Sequence, residues 1–233
     1  LHGGLNVVCS TFLTFSNYML PSIRMAGIMN LPVMFAFSHS SIYDTADGIT
    51  HIPVEQLDQL RLVPNTVVAR PANVHECTQV YVWWKENKKP ICVSLSRGTL
   101  PYFDGNENMS KGAYLVTEDK ASINIMASGS EVSIAMEVKK DLAEKGVVAN
   151  VVSVLSLEIF ENQDKVYKNK ILSKPLFVIE SGTCVNYLKY TKPENCFNVC
   201  EFGKTGDEAN LKKHFGYDTQ TISKKILKIV NKK

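Results

Sequence analysis

The residues best suited to chemistry lie close together, in the polar stretch 39–55. Two histidines, His39 and His51, and one aspartate, Asp47, follow directly after the apolar run 33–37. An apolar run of this length predicts a buried strand, and loops that follow buried strands commonly carry binding and catalytic side chains. Imidazole groups change charge near neutral pH, so they can accept or donate a proton. The stretch therefore predicts the rim of an active site.

The elements that must position this loop follow an α/β pattern. Short apolar runs alternate with helical patterns, which predicts βαβ units and a mainly parallel sheet. Strands are predicted at 5–9, 33–37, 66–69 and 91–95, and helices near 17–29, 54–60 and 73–87. In the first helix, Met25, Ile28 and Met29 recur at helical spacing and predict its apolar face.

A change of composition separates a second α/β unit from the first. Residues 101–112 contain Pro, Asp-Gly, Asn and Gly, which is typical of a linker or long loop. We therefore expect domains at 1–104 and 113–233, joined by a linker at 105–112. Ser128 and Glu131 have the spacing of a capping box before a helix that Gly146 ends. Further strands are predicted at 123–127, 148–155 and 176–180, and a last helix at 222–230.

The composition is that of an ordinary globular protein. Of 233 residues, 45% are hydrophobic and 21% are charged, with a formal net charge of +3. So small a charge gives no reason to expect nucleic acid or an anionic membrane as a partner, and no apolar run has the length of a transmembrane helix. The cysteines lack metal-site spacing, which predicts reduced thiols in a cytoplasmic protein. Because the first residue is Leu1 rather than Met, we expect a chain truncated at its N-terminus.

Several motifs occur in a fixed order along the chain. They are S-T-F-x-x-F-x-x-Y at 10–18, Asp47-Gly48-Ile49-Thr50-His51, Arg70-Pro71-Ala72, Leu95-Ser96-Arg97 with Leu100-Pro101, Ala127-Ser128-Gly129-Ser130-Glu131, and Phe202-Gly203-Lys204-Thr205-Gly206 with His214-Phe215-Gly216. Each is weak alone, but together they resemble the motifs of the transketolase family across nearly the whole chain. The resemblance implies the back part of a thiamine-pyrimidine-binding domain, followed by the family's C-terminal domain.

The resemblance also implies an activity. Transketolases transfer a two-carbon ketol unit from a ketose phosphate to an aldose phosphate in the pentose phosphate pathway, using thiamine diphosphate and Mg²⁺ or Ca²⁺. The complete enzyme is expected to be a cytoplasmic homodimer. The cofactor performs the carbanion chemistry, and the protein orients it and handles protons.

For several residues, the role that the resemblance implies can be compared with a purely structural role. Phe12, Phe15 and Tyr18 could be a core stripe, but they match the family's aminopyrimidine pocket, where Phe15 stacks on the ring. His51 could be a surface histidine, yet it matches the catalytic histidine that contacts the substrate hydroxyl and assists proton transfer.

The remaining matches concern the substrate. Asp47 could simply form an Asp-Gly turn, but it matches a carboxylate that binds a substrate hydroxyl. His39 and Arg97 match the cluster that grips the substrate phosphate, for which arginine offers bidentate donors. From spacing alone, Arg97 would be an ordinary strand-end residue.

Two departures from the family leave other readings open. The loop carries Ser40, Tyr43, Thr45, Ala46, Ile49 and Ile52 where the family has other residues, two of them glycines that permit unusual backbone angles. The glutamate that activates the cofactor, and the domain that binds metal and diphosphate, would precede Leu1, so we expect no metal ligands in this chain and no activity from the isolated chain. One alternative is a short, decayed relative that acts as a non-catalytic binding or scaffold protein. A related thiamine enzyme, such as deoxyxylulose-phosphate synthase, fits the motifs less well.

Sequencing the native transcript upstream of the Leu1 codon tests the expected truncation. A reading frame that continues into a glutamate-containing segment and a Gly-Asp-Gly domain is the expected result. A start codon close to Leu1 would contradict it and would favour the non-catalytic alternative.

Overall fold

The computed structural model, described for residues 3–42 and 48–231, contains two sheets flanked by helices. The strands of the first sheet are β1 Val7–Phe12, β2 Val33–Ser38, β3 Val67–Ala69 and β4 Ile91–Ser94. They pair in the order β1-β2-β4-β3, and every pairing is parallel. Their carboxyl ends therefore meet at one edge. β1 begins two residues later than predicted and runs on to Phe12, because it pairs in register with the whole of β2.

Helices cover this sheet where the sequence predicted them: α1 Ser16–Met29, α2 Gln56–Arg61 and α3 Val74–Asn87. α1 turns Ile23, Ala26 and Gly27 towards the core. The predicted apolar face of Met25, Ile28 and Met29 is instead exposed, with Ile28 63% exposed. Periodicity located the helix, but the small residues on the opposite side are the ones that fit against the sheet. That side is crowded, since a Cβ on Gly27 would meet the Pro64 carbonyl oxygen.

The second sheet is mixed. Its strands are β5 Ala113–Leu115, β6 Ile123–Ala127, β7 Ala149–Val154, β8 Leu176–Glu180 and β9 Cys196–Asn198, and its helices are α4 Glu131–Glu144, α5 Leu157–Glu161, α6 Lys165–Leu172, α7 Glu208–His214 and α8 Thr219–Val230. The order is β5-β7-β6-β8-β9, with β5 alone antiparallel to its neighbour. The predicted α/β class, with a mainly parallel first sheet and a second α/β unit, is confirmed.

The predicted capping box at the start of α4 is wrong. The Ser128 hydroxyl donates to Glu180 Oε2 at 2.7 Å, and Glu131 forms an ion pair with Arg70. Both side chains are fully buried. The spacing suits a cap, but these side chains serve a buried ionic cluster instead. The end of the helix agrees with the prediction, since Gly146 has φ +82°.

The segment predicted as a linker is a structured connection. Glu107–Lys111 form a 3₁₀ turn, which Asn106 caps by accepting a hydrogen bond from the Asn108 amide. Gly112 follows with φ +84°, and a Cβ there would collide with the Phe160 nitrogen and the Ser156 oxygen. The chain therefore enters β5 through a position that only glycine fits.

The first sheet is closed at its β3 edge by the second unit. The Val68 amide donates to Glu158 Oε2 at 3.1 Å, and the Arg70 amide donates to the Leu155 carbonyl at 2.8 Å. Further along the boundary, Asp58 accepts hydrogen bonds from the Thr183 hydroxyl and from Asn186 Nδ2. The two units thus share a polar boundary, at which hydrogen-bonding groups of each unit find partners in the other.

Two further findings concern the helices and the thiols. Within residues 3–42 and 48–231, no helix is long and apolar enough to cross a membrane. The cysteines are free thiols, as predicted: Cys9, Cys77, Cys92, Cys184, Cys196 and Cys200.

Glu76 at this boundary gives a pH-dependent prediction. Its buried carboxylate accepts hydrogen bonds from the Tyr114 hydroxyl, the Ser153 hydroxyl and the Ala72 amide. Burial raises the pKa of Glu76 above its ordinary 4.5, even though these hydrogen bonds act to lower it. A raised folded-state pKa contributes stability at low pH that is lost as the pH rises through that pKa. We expect Glu76→Gln to lower the free energy of unfolding by about 1–3 kcal/mol, because an amide NH₂ then faces a donor.

Urea unfolding at several pH values between 4.5 and 8 measures this effect. The difference between wild type and Glu76→Gln should shrink as the pH rises, since the wild type loses the stability linked to the bound proton. Glu144→Gln, at an exposed position of α4, should keep the wild-type pH dependence. A difference that is constant or grows with pH would contradict the expected role of Glu76.

Candidate functional site

Aromatic and imidazole rings gather at the carboxyl edge of the first sheet. Phe12 ends β1, and the turn after it carries Phe15 to the start of α1. The His39 ring lies against Phe12 with 3.7 Å between centroids, and the His51 ring meets Phe15 edge-on at 5.2 Å. Phe12 and His51 are 6.1 Å apart. The edge brings together two aromatic and two imidazole side chains that are distant in sequence.

His39 has an unusual backbone conformation. Its φ is +59°, in the left-handed region that residues with a Cβ seldom adopt. The side chain is buried, and its Nδ1 lies 2.9 Å from the Ser38 hydroxyl. A strained backbone of this kind persists only where the surroundings hold it, and such positions cluster at functional sites.

His51 is held by a tight turn. Its amide donates to the Gly48 carbonyl at 3.0 Å, and its Nδ1 lies 2.8 Å from the Thr50 hydroxyl. Gly48 has φ +90°, and a Cβ there would lie 2.6 Å from the Thr205 hydroxyl oxygen. The turn therefore needs glycine both for its backbone angle and for the close approach of the C-terminal unit. It leaves the His51 side chain half-buried.

A recess of about 460 Å³ opens beside these rings. Phe15, Tyr18, Ile49, Ile52 and Phe202 contribute to its lining. Tyr18 is 84% exposed and lies 6.1 Å from Phe15, at the rim. Aromatic faces beside an apolar slot suit a flat heteroaromatic ring. Among the residues that the structure describes, no group of three or more His, Cys, Asp or Glu side chains could hold a metal ion.

Arg97 lines a second recess at this sheet edge. The Leu95 amide donates to the Phe37 carbonyl, so the segment after β4 leaves the same sheet edge as the segment after β2. Arg97 then lines a recess of about 450 Å³ that includes Ser130, Glu137 and Lys212 of the second unit. The predicted pair of His39 and Arg97 thus shares an edge, with His39 packed on Phe12 and Arg97 at this recess.

Part of the predicted loop lies outside the described residues. This applies to Asp47, predicted to bind substrate, and to the substituted positions Tyr43, Thr45 and Ala46. Of the other substituted positions, Ile52 is buried against the core of the second unit and Ile49 is exposed at the recess. Ile52 therefore anchors the loop by apolar contact.

Arg70 is the residue that the sequence analysis left without a role. It is fully buried and forms ion pairs with Glu131 and with Glu180, the latter at 2.5 Å. Burial raises the pKa of Glu180, and the positive charge of Arg70 opposes that shift. The Arg-Pro-Ala motif was visible, but only the fold brings the two glutamates to it from positions far along the chain.

The left-handed backbone of His39 can be tested by paired substitutions. Glycine adopts this conformation without the steric cost of a Cβ, which is about 1–2 kcal/mol. His39→Gly should therefore be more stable than His39→Ala by about 1 kcal/mol in urea unfolding. At the exposed helical position Lys140 the order should reverse, with the glycine variant less stable than the alanine variant. The same order at both positions would exclude the strained conformation.

Comparisons with known proteins bear on both units. A family model described as the transketolase pyrimidine-binding domain matches residues 1–102, and one described as the transketolase-like C-terminal domain matches residues 112–218. A curated transketolase from Bacillus subtilis is 36% identical over 248 residues, which include 100% of this chain and 37% of the relative. The chain therefore spans little more than a third of the length of that protein.

Solved structures show the same arrangement. A transketolase from Pichia stipitis, solved in complex with sedoheptulose 7-phosphate, superposes with a TM-score of 0.90 at 32% identity, over 95% of this chain and 33% of that chain. A structure described as a split gene transketolase, inactive β4 tetramer, has a TM-score of 0.74 at 20% identity, over 74% of its own length, and supports the fold alone. Because two family models and an alignment over the whole chain agree, the chain belongs to the transketolase family.

Proposed function

We propose that this chain supplies the pyrimidine-binding and C-terminal domains of a transketolase that moves a two-carbon ketol unit between sugar phosphates. The observation that carries the proposal is the convergence of His39, His51, Phe12 and Phe15 at one sheet edge. These residues lie beside a recess with aromatic faces. The proposed domain division remains 1–104, a linker at 105–112, and 113–233.

The aromatic recess is proposed to hold the pyrimidine ring of thiamine diphosphate. Phe15 would stack on the ring, with Phe12 and Tyr18 lining the pocket. Such stacking adds about 0.5–1.5 kcal/mol beyond the burial of apolar area. When bound, the cofactor supplies the carbanion chemistry of ketol transfer. The side chains of this chain would bind and orient it and exclude water from it.

The imidazole groups are proposed to act on the substrate. His51 would contact the substrate's terminal hydroxyl and move a proton at that oxygen, with the hydrogen bond between its Nδ1 and the Thr50 hydroxyl fixing the ring. His39 and Arg97 would bind the phosphate from two sides of the edge. Asp47 is proposed to bind a substrate hydroxyl. The tight glycine turn before His51 supports the proposed role of His51, because its hydrogen bond from the His51 amide to the Gly48 carbonyl holds the backbone of that residue.

Binding of the diphosphate and its metal is proposed to need residues beyond this chain. The described residues offer aromatic faces for the ring but no cluster of metal ligands. Mg²⁺ or Ca²⁺ would then be held by another polypeptide segment, and the complete enzyme would be a cytoplasmic homodimer. On this view the isolated chain is inactive.

Assay of the complete native polypeptide tests the proposal. With thiamine diphosphate and Mg²⁺ added, it should transfer a ketol unit from xylulose 5-phosphate to ribose 5-phosphate, while residues 1–233 alone should not. Absence of turnover by the folded, complete protein would overturn the proposal. It would leave the non-catalytic binding or scaffold role as the alternative.

Substitution of His51 in the complete protein separates chemistry from folding. His51→Ala should lower kcat about 100-fold or more, since it removes a proton-transferring group. His75 is a matched control, because it is an exposed histidine that contacts Tyr102 away from the recess. Wild-type kcat in His51→Ala, or an equal loss in His75→Ala, would exclude the proposed role.

Substitution of Arg97 should act mainly on KM. A charge-assisted hydrogen bond contributes about 1.5–3 kcal/mol, which corresponds to roughly 10–100-fold in affinity. Arg97→Ala should raise KM for both sugar phosphates by about that factor. Lys224→Ala, which removes an exposed cation from α8, should leave KM unchanged. An unchanged KM in Arg97→Ala would remove Arg97 from the phosphate site.

A further inference from the structure

The two residues that follow His39 are tied to Arg70 of the first unit and to buried groups of the second unit. Arg70 Nη2 donates to the Ser40 carbonyl at 3.1 Å, and the Ser41 hydroxyl donates to Glu131 Oε1 at 2.9 Å. The Ser181 hydroxyl also reaches the Ser40 carbonyl, at 3.4 Å. The loop therefore leaves β2 into a set of fixed anchors rather than into solvent.

These anchors lie in a region of low dielectric. Arg70, Glu131 and Ser41 are fully buried. Hydrogen bonds to charged groups are about twice as strong as neutral ones, and a buried ion pair resists the loss of either partner because the charge left behind would be uncompensated. The ion pair of Arg70 and Glu131 is thus a rigid support, and the loop takes its position from it.

The left-handed backbone of His39 stands directly before these anchors. Its φ of +59° turns the chain so that the imidazole packs on Phe12 while the next carbonyl points at Arg70. A strained backbone angle of this kind persists where the surrounding structure holds it. The anchors at Ser40 and Ser41 provide that support.

We propose that Arg70, together with Glu131 of the C-terminal domain, is a positioning residue that sets the backbone of His39 and holds its imidazole against Phe12. The C-terminal domain thereby contributes to the geometry of the proposed phosphate site through Glu131. The role of His39 as a phosphate ligand rests on the proposed function. The positioning of its ring does not.

A purely structural role for Arg70 has to be separated from positioning. Arg70 also bonds to Glu180 and to Ser128, so its loss would disturb more than the bond to Ser40. The first variant is therefore Ser41→Ala, which removes one anchor and keeps the ion pairs. Its matched control is Ser153→Ala, which removes an equally buried serine hydroxyl from another buried carboxylate, Glu76, away from the loop.

Proton NMR of the 233-residue chain gives the readout. Because the His39 and Phe12 ring centroids are 3.7 Å apart, we expect the Cε1 proton of His39 to resonate upfield of those of the other histidines, and His39→Gln identifies its signal by removing it. In Ser41→Ala the His39 signal should lose most of its upfield displacement. Ser153→Ala should have a thermal stability similar to that of Ser41→Ala and should keep the upfield displacement. An unchanged signal in Ser41→Ala would overturn the positioning role, as would an equal change in Ser153→Ala.

Arg70→Lys provides a second test. Lysine keeps the charge but lacks the planar fork that reaches Ser40 and the carboxylates together. If the variant folds by circular dichroism, its His39 signal should also lose the displacement, and retention of the displacement would contradict the proposal. The Ser41 variant decides the question if Arg70→Lys does not fold.

Titration with inorganic phosphate and with ribose 5-phosphate keeps the two proposals apart. Movement of the wild-type His39 signal, weakened in Ser41→Ala, would support both. If neither ligand moves the wild-type His39 signal, while Ser41→Ala still removes the upfield displacement of that signal, the phosphate role of His39 fails and the positioning role stands. If Ser41→Ala and Arg70→Lys both bind the ligands like the wild type and keep the upfield displacement of the His39 signal, the positioning role fails.

Discussion

The buried guanidinium of Arg70 is the interaction on which the rest of the structure depends. It forms ion pairs with two glutamates that enter from the C-terminal unit, and it contacts the loop that follows β2. Removing it would take the cation from both of these buried ion pairs, and breaking a buried pair in this way costs about 3–5 kcal/mol. The relative position of the two units and the path of the loop are therefore set by the same charge.

Chemistry and architecture meet at one edge of the first sheet because the strands are parallel. Each strand delivers its following residue to the same side, so Phe12, His39 and Arg97 arrive there from three separate segments. The C-terminal unit then adds walls and anchors, such as Phe202 at one recess and Lys212 at the other. A domain that carries no predicted catalytic side chain thus shapes both recesses.

The sequence allowed the strands and helices of the first sheet to be predicted, because apolar runs and helical periodicity are local signals. The strands β5 and β9, of three residues each, were not predicted from the sequence. The capping-box interpretation of Ser128 and Glu131 failed because its spacing is local, whereas the partners of these side chains, Glu180 and Arg70, are distant in sequence. Likewise, resemblance marked His39 and His51, whereas the left-handed backbone of His39 depends on anchors that only the fold assembles.

Because the β3 edge is closed, another strand can join the first sheet only at the β1 edge. With the Val68 and Arg70 amides already bonded to Glu158 and Leu155, no further strand can pair on that side. β1, at the other end of the order, pairs on one side only and exposes Val7 and Val8. A strand joining this sheet, from the same polypeptide or another, would have to dock beside β1. A parallel strand added there would end next to Phe12, so it would bring its following residues to the recess from the β1 side.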